Sequence, residues 1–150
     1  MTQGAFGPHE DWHDSLMSRR FLWLKTSAAL YVIAIPVSHY ALPHSMVWGV
    51  ALFFLVAMLF TYPAAAFAQG AHRRRETAVS LGLAALGVIG FVTSPWLIVA
   101  AIAGHGLWDT LKHRWAHGAQ FFTWYVSGCA AVDFSYAAAL SVFVLFGETR

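Results

Sequence analysis

The sequence predicts an all-α protein, a polytopic integral membrane bundle of five transmembrane helices with a cytoplasmic N-terminus and a C-terminus outside. Of its 150 residues, 59% are hydrophobic and only 11% are charged, whereas about a quarter of an ordinary soluble domain is charged. The apolar residues form long blocks, and a helix needs roughly 20 residues to cross a bilayer. Nearly all Lys and Arg lie between these blocks. Composition, block length and the placement of charge therefore agree on the fold class.

The blocks divide the chain into a short polar segment and one membrane domain. Residues 1–20 are polar and are expected in the cytoplasm, and residues 21–150 form a single five-helix domain. The five spans are expected at about 21–41, 45–69, 77–94, 96–114 and 121–146. A helix satisfies its own backbone hydrogen bonds, as lipid requires.

Prolines and small residues predict bends and close packing in individual spans. Pro36 and Pro63 lie inside the first and second spans. Each should bend its helix, because proline lacks a backbone N–H and its ring collides with the carbonyl four residues earlier. The fifth span carries Ser127, Ala131 and Ser135 at intervals of four. Small residues at this spacing favour close helix packing in lipid.

The basic residues set the predicted orientation. Of the nine Lys and Arg, eight fall on one side of a five-span scheme: Arg19, Arg20, Lys25, Arg73, Arg74, Arg75, Lys112 and Arg114. Only Arg150 falls on the other side. Positive charge is retained in the cytoplasm, so we expect a multi-pass protein of the bacterial inner membrane whose first partner is the lipid bilayer. A net charge of +2 with this distribution argues against a nucleic-acid partner, and the single Cys129 excludes an internal disulfide.

Ionisable side chains at membrane depth are the candidates for function, because burying each one in lipid costs ~2.5–3.5 kcal/mol. Residues four apart share one face of a helix. The fourth span presents His105, Asp109, His113 and His117 at this interval, and the fifth presents Phe121, Tyr125, Cys129 and Asp133. The two spans are sequential and should pack antiparallel, so both polar faces can meet.

The turn between these spans sets their register. If it centres near residue 119, residues equally distant from it lie at one depth, with an uncertainty of about one helical turn. The level pairs are His105 with Asp133, Asp109 with Cys129, and His113 with Tyr125. An imidazole bonded to a carboxylate leaves no bare charge in hydrocarbon. We therefore expect a His–Asp pair near mid-membrane.

Three residues are the candidates for catalysis. His105, Asp109 and Asp133 are expected to handle protons, as general acid and base, on a lipophilic small molecule such as a lipid, an isoprenoid or a quinone-like compound. The residues expected to line the substrate site are His113, Tyr125, Cys129 and Trp108.

Other functions stay open at this stage. The same polar groups would also serve as a clasp that only locks two helices together. An accessory or structural subunit of a larger membrane complex would explain the small size. A proton- or metal-coupled carrier would need a polar path, for which the first three spans offer mainly Ser38, Thr61, Tyr62 and Ser80. Homo-oligomerisation would help to complete such a path.

No set of metal ligands is assigned from the sequence, and the cofactor is unknown. His105 and His113 are separated by ~12 Å along a helix, too far to share an ion with bonds of ~2.0–2.1 Å. A single metal site with His105 and Asp109, or Asp109 and His113, plus one ligand from the fifth span stays open, as does a haem with one axial histidine. A di-iron bundle needs about four inward carboxylates, and only two acids lie deep here.

Residues 105–142 resemble the C-terminal half of a family of small uncharacterised bacterial integral membrane proteins. The shared pattern is H-x2-WD followed by C-x3-D in the last two helices, which His105, Trp108, Asp109, Cys129 and Asp133 match. The chain departs from the family where it has WYVSG before the cysteine, since a proline is expected there. The resemblance implies a compact helical membrane protein and groups these residues into one site.

Overall fold

Five helices make up the computed structural model, which describes residues 37, 39, 41–115, 118, 119 and 123–146. They are α1 (His44–Leu59), α2 (Thr61–Gln69), α3 (Arg73–Thr93), α4 (Pro95–Trp115) and α5 (Thr123–Phe146). No strand occurs in this part of the chain, so the all-α prediction is confirmed there. The polar segment 1–20, and nearly all of the first predicted span (21–41), lie outside the described residues.

The second predicted span, 45–69, consists of two helices. α1 ends at Leu59, and Phe60 forms a turn before α2 begins. Pro63 has no N–H to donate to the carbonyl of Leu59, and hydrogen bonding resumes with Ala64, whose N–H donates to the Phe60 carbonyl at 3.1 Å. The helix is thus interrupted at Phe60, three residues before Pro63, and the bend expected from Pro63 stays a prediction.

The third helix begins earlier than the sequence predicts. The expected span was 77–94, but α3 starts at Arg73 and includes the arginine triplet and Glu76 in its first turn. Hydropathy marks the apolar part of a helix and misses a polar first turn, which is why the predicted start is four residues late. α3 ends beside Ser94, and Pro95 opens α4, where the missing N–H of proline costs no helical hydrogen bond.

Among the described residues, three stretches of helix are long and apolar enough to cross a membrane: Met46–Gln69, Arg73–Thr93 and Tyr125–Phe146. α4 has 21 residues but is not among them, because its second half carries Asp109, Lys112 and Arg114. Large apolar side chains such as Phe53 and Leu145 are exposed on the helix surfaces. Such surfaces suit contact with lipid.

α4 is the central helix of the described bundle. It packs most extensively against α5 and next against α3, and it also contacts α1. The apolar core lies among these helices and includes Val47, Ala51, Leu55, Ile98, Ile102 and Leu140. Because neighbours surround α4, polar side chains on its inner face are removed from both lipid and water.

Candidate functional site

A buried hydrogen bond joins the two polar helix faces. Nδ1 of His105 on α4 lies 2.7 Å from Oδ2 of Asp133 on α5, and both side chains are almost wholly buried. Gly106 allows this approach, because a Cβ at that position would lie 3.0 Å from the Asp133 Cβ and 3.3 Å from the Ala130 carbonyl oxygen. The predicted pairing of His105 with Asp133 is thus observed, while their chemical role stays a prediction.

Asp109 completes a triangle with this pair. Its Oδ2 lies 3.9 Å from Nδ1 of His105, one helical turn earlier on α4, and the residue is fully buried. Neither of its carboxylate oxygens has a hydrogen bond of good geometry, and the same holds for Asp133 Oδ1 and His105 Nε2. A buried polar atom without a partner costs about 1–3 kcal/mol, and more when charged. Such a cluster is typical of a site that binds a proton, an ion or a ligand.

Tyr62 closes the site from α2. Its ring centre is 5.8 Å from that of His105, and its hydroxyl lies close enough to Asp109 to interact with that carboxyl group. The residue is buried. In the sequence Tyr62 stood out only as one of few polar residues in the early spans, because spacing within α4 and α5 says nothing about where α2 packs.

Two of the predicted lining residues lie beside the triangle. Tyr125 is within hydrogen-bonding reach of Thr61 and Cys129, and Cys129 is near enough to Asp109 to interact with its charge. The expected neighbourhood of Asp109 and Cys129 is therefore present. The side chain of His113 lies outside the described residues, so its expected place opposite Tyr125 stays a prediction.

Trp108, the remaining lining candidate, belongs to a different cluster. Its indole N–H donates a hydrogen bond of 3.1 Å to Oε2 of Glu76 on α3. Residues 105 and 109 share a face of α4. The side chain of Trp108 leaves this face and extends toward α3. The indole is thus paired with a carboxylate of α3, and its expected place at the substrate site stays a prediction.

Glu76 is the centre of this second cluster. It is fully buried and accepts hydrogen bonds from the Lys112 ammonium, from Trp108, and from the Ala119 backbone N–H at 2.7 Å. A Cβ on Gly118, whose φ is +87°, would collide with Glu76 Oε1. The cluster therefore ties α3 and α4 to the connection between α4 and α5.

The two clusters meet at Tyr62. The Lys112 ammonium nitrogen lies 3.8 Å from the centre of the Tyr62 ring, a cation–π distance. Lys112 was interpreted from the sequence as a marker of orientation only. Its spacing from His105 and Asp109, seven and three residues, does place it on their helix face, and that signal was present in the sequence. Glu76 was overlooked because it stands next to a run of arginines, although residues 76 and 112 are equally distant from the turn at Ser94.

The two clusters differ in their balance of positive and negative charge. Lys112 is paired with Glu76 and acts on Asp109 only at longer range, so among the described residues His105 makes the only ion-pair contacts with the two aspartates. Two ionised carboxylates against one imidazolium would leave a net negative charge in a dry interior, which is strongly unfavourable. The triangle must therefore hold an additional proton or a cation.

No family model, curated protein or solved structure matches this chain. The geometry of the site is therefore the basis for assigning a function.

Proposed function

We propose that this chain is an integral membrane protein that transfers protons to and from a lipophilic small molecule at the site formed by His105, Asp109 and Asp133. The observation that carries the proposal is the 2.7 Å contact between His105 Nδ1 and Asp133 Oδ2, together with a buried Nε2 that has no partner among the described residues. An imidazole held in this way by a carboxylate is the arrangement that general-base catalysis uses.

Each residue has a distinct part in this chemistry. An ionised Asp133 accepts a hydrogen bond from the Nδ1–H of His105, which fixes the ring. The site is neutral when His105 is an imidazolium and Asp109 is protonated; once Nε2 has given its proton to the substrate, its lone pair is the base. When Nε2 takes a proton from the substrate, the Asp133 carboxylate stabilises the resulting imidazolium. Asp109 lies one helical turn along α4, with its Oδ2 3.9 Å from the same Nδ1, and its protonated form serves as the acid that returns a proton. Tyr62 restricts access from α2.

The proposal includes five spans and an N-terminus in the cytoplasm of a bacterial cell, in its inner membrane. The separation of basic residues supports this orientation, and the large apolar side chains exposed on the described helices suit a lipid environment. The Glu76 cluster then lies toward the cytoplasmic end. We also propose that the chain belongs with the small membrane proteins that share the H-x2-WD and C-x3-D pattern, on the basis of residues 105–142.

The proposal can be tested without first identifying the substrate. Purified protein in nanodiscs is incubated in D2O with a bacterial lipid extract, and the lipids are analysed by mass spectrometry. An acid/base enzyme that removes and returns a carbon-bound proton incorporates deuterium into its substrate. We expect incorporation with the native chain, its loss with Asp133→Asn, and its retention with Tyr136→Phe, which removes a buried hydroxyl hydrogen-bonded to His39 one turn away on α5.

Two outcomes would refute the proposal. One is equal incorporation by the native chain and Asp133→Asn; the other is no incorporation into any lipid. A protein partner that co-purifies in stoichiometric amount, with no effect of the site variants, would instead favour an accessory subunit of a larger complex.

Proton conduction is a second candidate function, favoured by one specific observation. Buried titratable groups follow one another from α3 to α5: Glu76, Lys112, Tyr62, Asp109, His105 and Asp133. Proteoliposomes with a pH-sensitive dye inside distinguish the two functions. Proton flux that Asp109→Asn removes, without deuterium incorporation, would support conduction in place of catalysis.

A further inference from the structure

We infer that His105, Asp109 and Asp133 form a binding site for a divalent transition-metal ion of the Zn²⁺ class, with one ligand atom from each residue. The inference rests on the proposed function, because the ion would occupy the same site and act on the same lipophilic molecule. It goes beyond the sequence, from which no ligand set was assigned.

The spacing of the ligand atoms is close to what such an ion needs. One nitrogen or oxygen atom from each residue lies within 4.8 Å of the others. Around a tetrahedral ion with bonds of ~2.0–2.1 Å, neighbouring ligand atoms stand about 3.3 Å apart. The distances from His105 Nδ1 to Asp133 Oδ2 and to Asp109 Oδ2, 2.7 and 3.9 Å, bracket this value.

Unused hydrogen-bonding capacity at the site points to a ligand independently of the spacing. Asp109 and Asp133 are fully buried, and three of their four carboxylate oxygens lack a hydrogen bond of good geometry. The remaining oxygen faces His105. Carboxylates in a dry interior need a positive partner, and Lys112 is already paired with Glu76. A doubly charged cation supplies the missing charge, whereas an anion would be repelled.

The donor set indicates the class of cation. One imidazole and two carboxylates suit Zn²⁺ and similar first-row ions. Ca²⁺ takes 6–8 oxygen ligands, and Mg²⁺ usually keeps several waters, for which a buried site with three protein ligands offers little. Three protein ligands also leave a coordination position open, and there the ion can polarise an oxygen atom of the lipophilic molecule as a Lewis acid.

Metal and proton compete for the same atoms. Without the ion, two protons shared among the neutral imidazole of His105 and the two carboxylates bring the net charge of the cluster to zero. When the ion binds, both carboxylates must be ionised and the ligating imidazole nitrogen must carry no proton, so the displaced protons leave to solvent. Apparent metal affinity should therefore fall as the pH is lowered.

Cobalt binding to the full chain tests the inference. The protein in nanodiscs is stripped of metal with a chelator and titrated with Co²⁺, whose visible absorption reports coordination, and Zn²⁺ is then added as a competitor. We expect saturable binding of one equivalent that Zn²⁺ displaces. Asp109→Asn and Asp133→Asn should each lower the affinity by more than about 10-fold. Thermal melting of each variant establishes that it remains folded, and His105→Gln provides a third ligand change.

Matched control variants show whether Co²⁺ binds at a site other than His105, Asp109 and Asp133. Tyr136→Phe should bind Co²⁺ like the native chain. A double change, His9→Ala with His13→Ala, removes a pair of histidines spaced four apart in the polar segment 1–20 and should have no effect. Absence of saturable binding in the native chain would overturn the inference, and so would binding that the aspartate variants keep and the double histidine variant loses.

The two proposals fail separately. Deuterium incorporation that depends on Asp133 and persists in chelator-treated protein without Co²⁺ binding would overturn the metal site and leave acid/base catalysis in place. Saturable Co²⁺ binding by the three ligands without any deuterium incorporation would overturn acid/base catalysis and leave the metal site in place.

Discussion

The ammonium nitrogen of Lys112 lies 3.8 Å from the centre of the Tyr62 ring while it is also paired with the buried carboxylate of Glu76. Through this contact, the cluster that fastens α3 to α4 is joined to the His105 site. The ring of Tyr62 contacts both Lys112 and His105, and the centres of the Tyr62 and His105 rings are 5.8 Å apart. A substitution in either cluster should therefore alter the packing around the Tyr62 ring.

Breaking the buried ion pair should destabilise the fold. Lys112→Met leaves Glu76 fully buried without its cation, and removing one partner of a buried pair costs about 3–5 kcal/mol. Denaturation in detergent mixtures, followed by circular dichroism, measures the loss. The double variant Glu76→Gln with Lys112→Met should recover much of it, because no charge then stays unpaired. Native-like stability of the single variant would show that Glu76 gains another cation or is protonated.

Gly118 should tolerate no side chain. Gly118→Ala forces a φ of +87° on a residue with a Cβ, and the new methyl group meets Glu76 Oε1 and the Lys112 ammonium. The left-handed region alone costs an ordinary residue roughly 1–2 kcal/mol, and the collision adds to this.

Gly128→Ala on α5 is the matched control for Gly118, because a Cβ there meets nothing within 4 Å. Alanine stabilises a helix interior by roughly 0.5–1 kcal/mol over glycine. We therefore expect the two substitutions to change the free energy of unfolding in opposite directions. An equal effect at both positions would contradict the turn geometry.

Gly106 should be required for the His105–Asp133 hydrogen bond. In Gly106→Ala the added methyl group approaches the Asp133 Cβ to 3.0 Å, so α4 and α5 must separate by a few tenths of an ångström. The His105 ring is then no longer held at 2.7 Å. We expect deuterium incorporation to fall although no ionisable group has changed. Gly82→Ala, with open space around its Cβ, serves as the control; similar losses in both variants would count against a role for helix spacing.

The Tyr62 hydroxyl should matter more for function than for folding. Tyr62→Phe keeps the ring between His105 and Lys112 and removes the hydroxyl near Asp109, so stability should change by less than about 1.5 kcal/mol. Deuterium incorporation and Co²⁺ affinity should both decrease. Tyr62→Ala removes the buried ring as well and should cost about 3–5 kcal/mol. Unchanged activity in Tyr62→Phe would limit Tyr62 to a packing role.

Much of the candidate site was predictable because α4 and α5 are adjacent in the chain. A short connection fixes their register, and the four-residue interval places His105 and Asp109 on one face and Asp133 on the other helix at the depth of His105. The same reasoning would have placed Glu76 level with Lys112, because α3 and α4 are joined by Ser94 alone. The contribution of Tyr62 was not predictable in this way, because α2 is not adjacent to α4 in the chain and its position depends on side-chain packing.

The amino-acid sequence by itself determined that the chain is helical, that long apolar stretches are available to cross a membrane, and that His105 meets Asp133. Helical periodicity and hydropathy are local properties, and they act through neighbouring residues. The tertiary structure alone decided that Trp108 turns toward α3 and that Tyr62 joins the two clusters. Those contacts depend on which helix faces fit together, and close packing of distant segments is a property of the whole bundle.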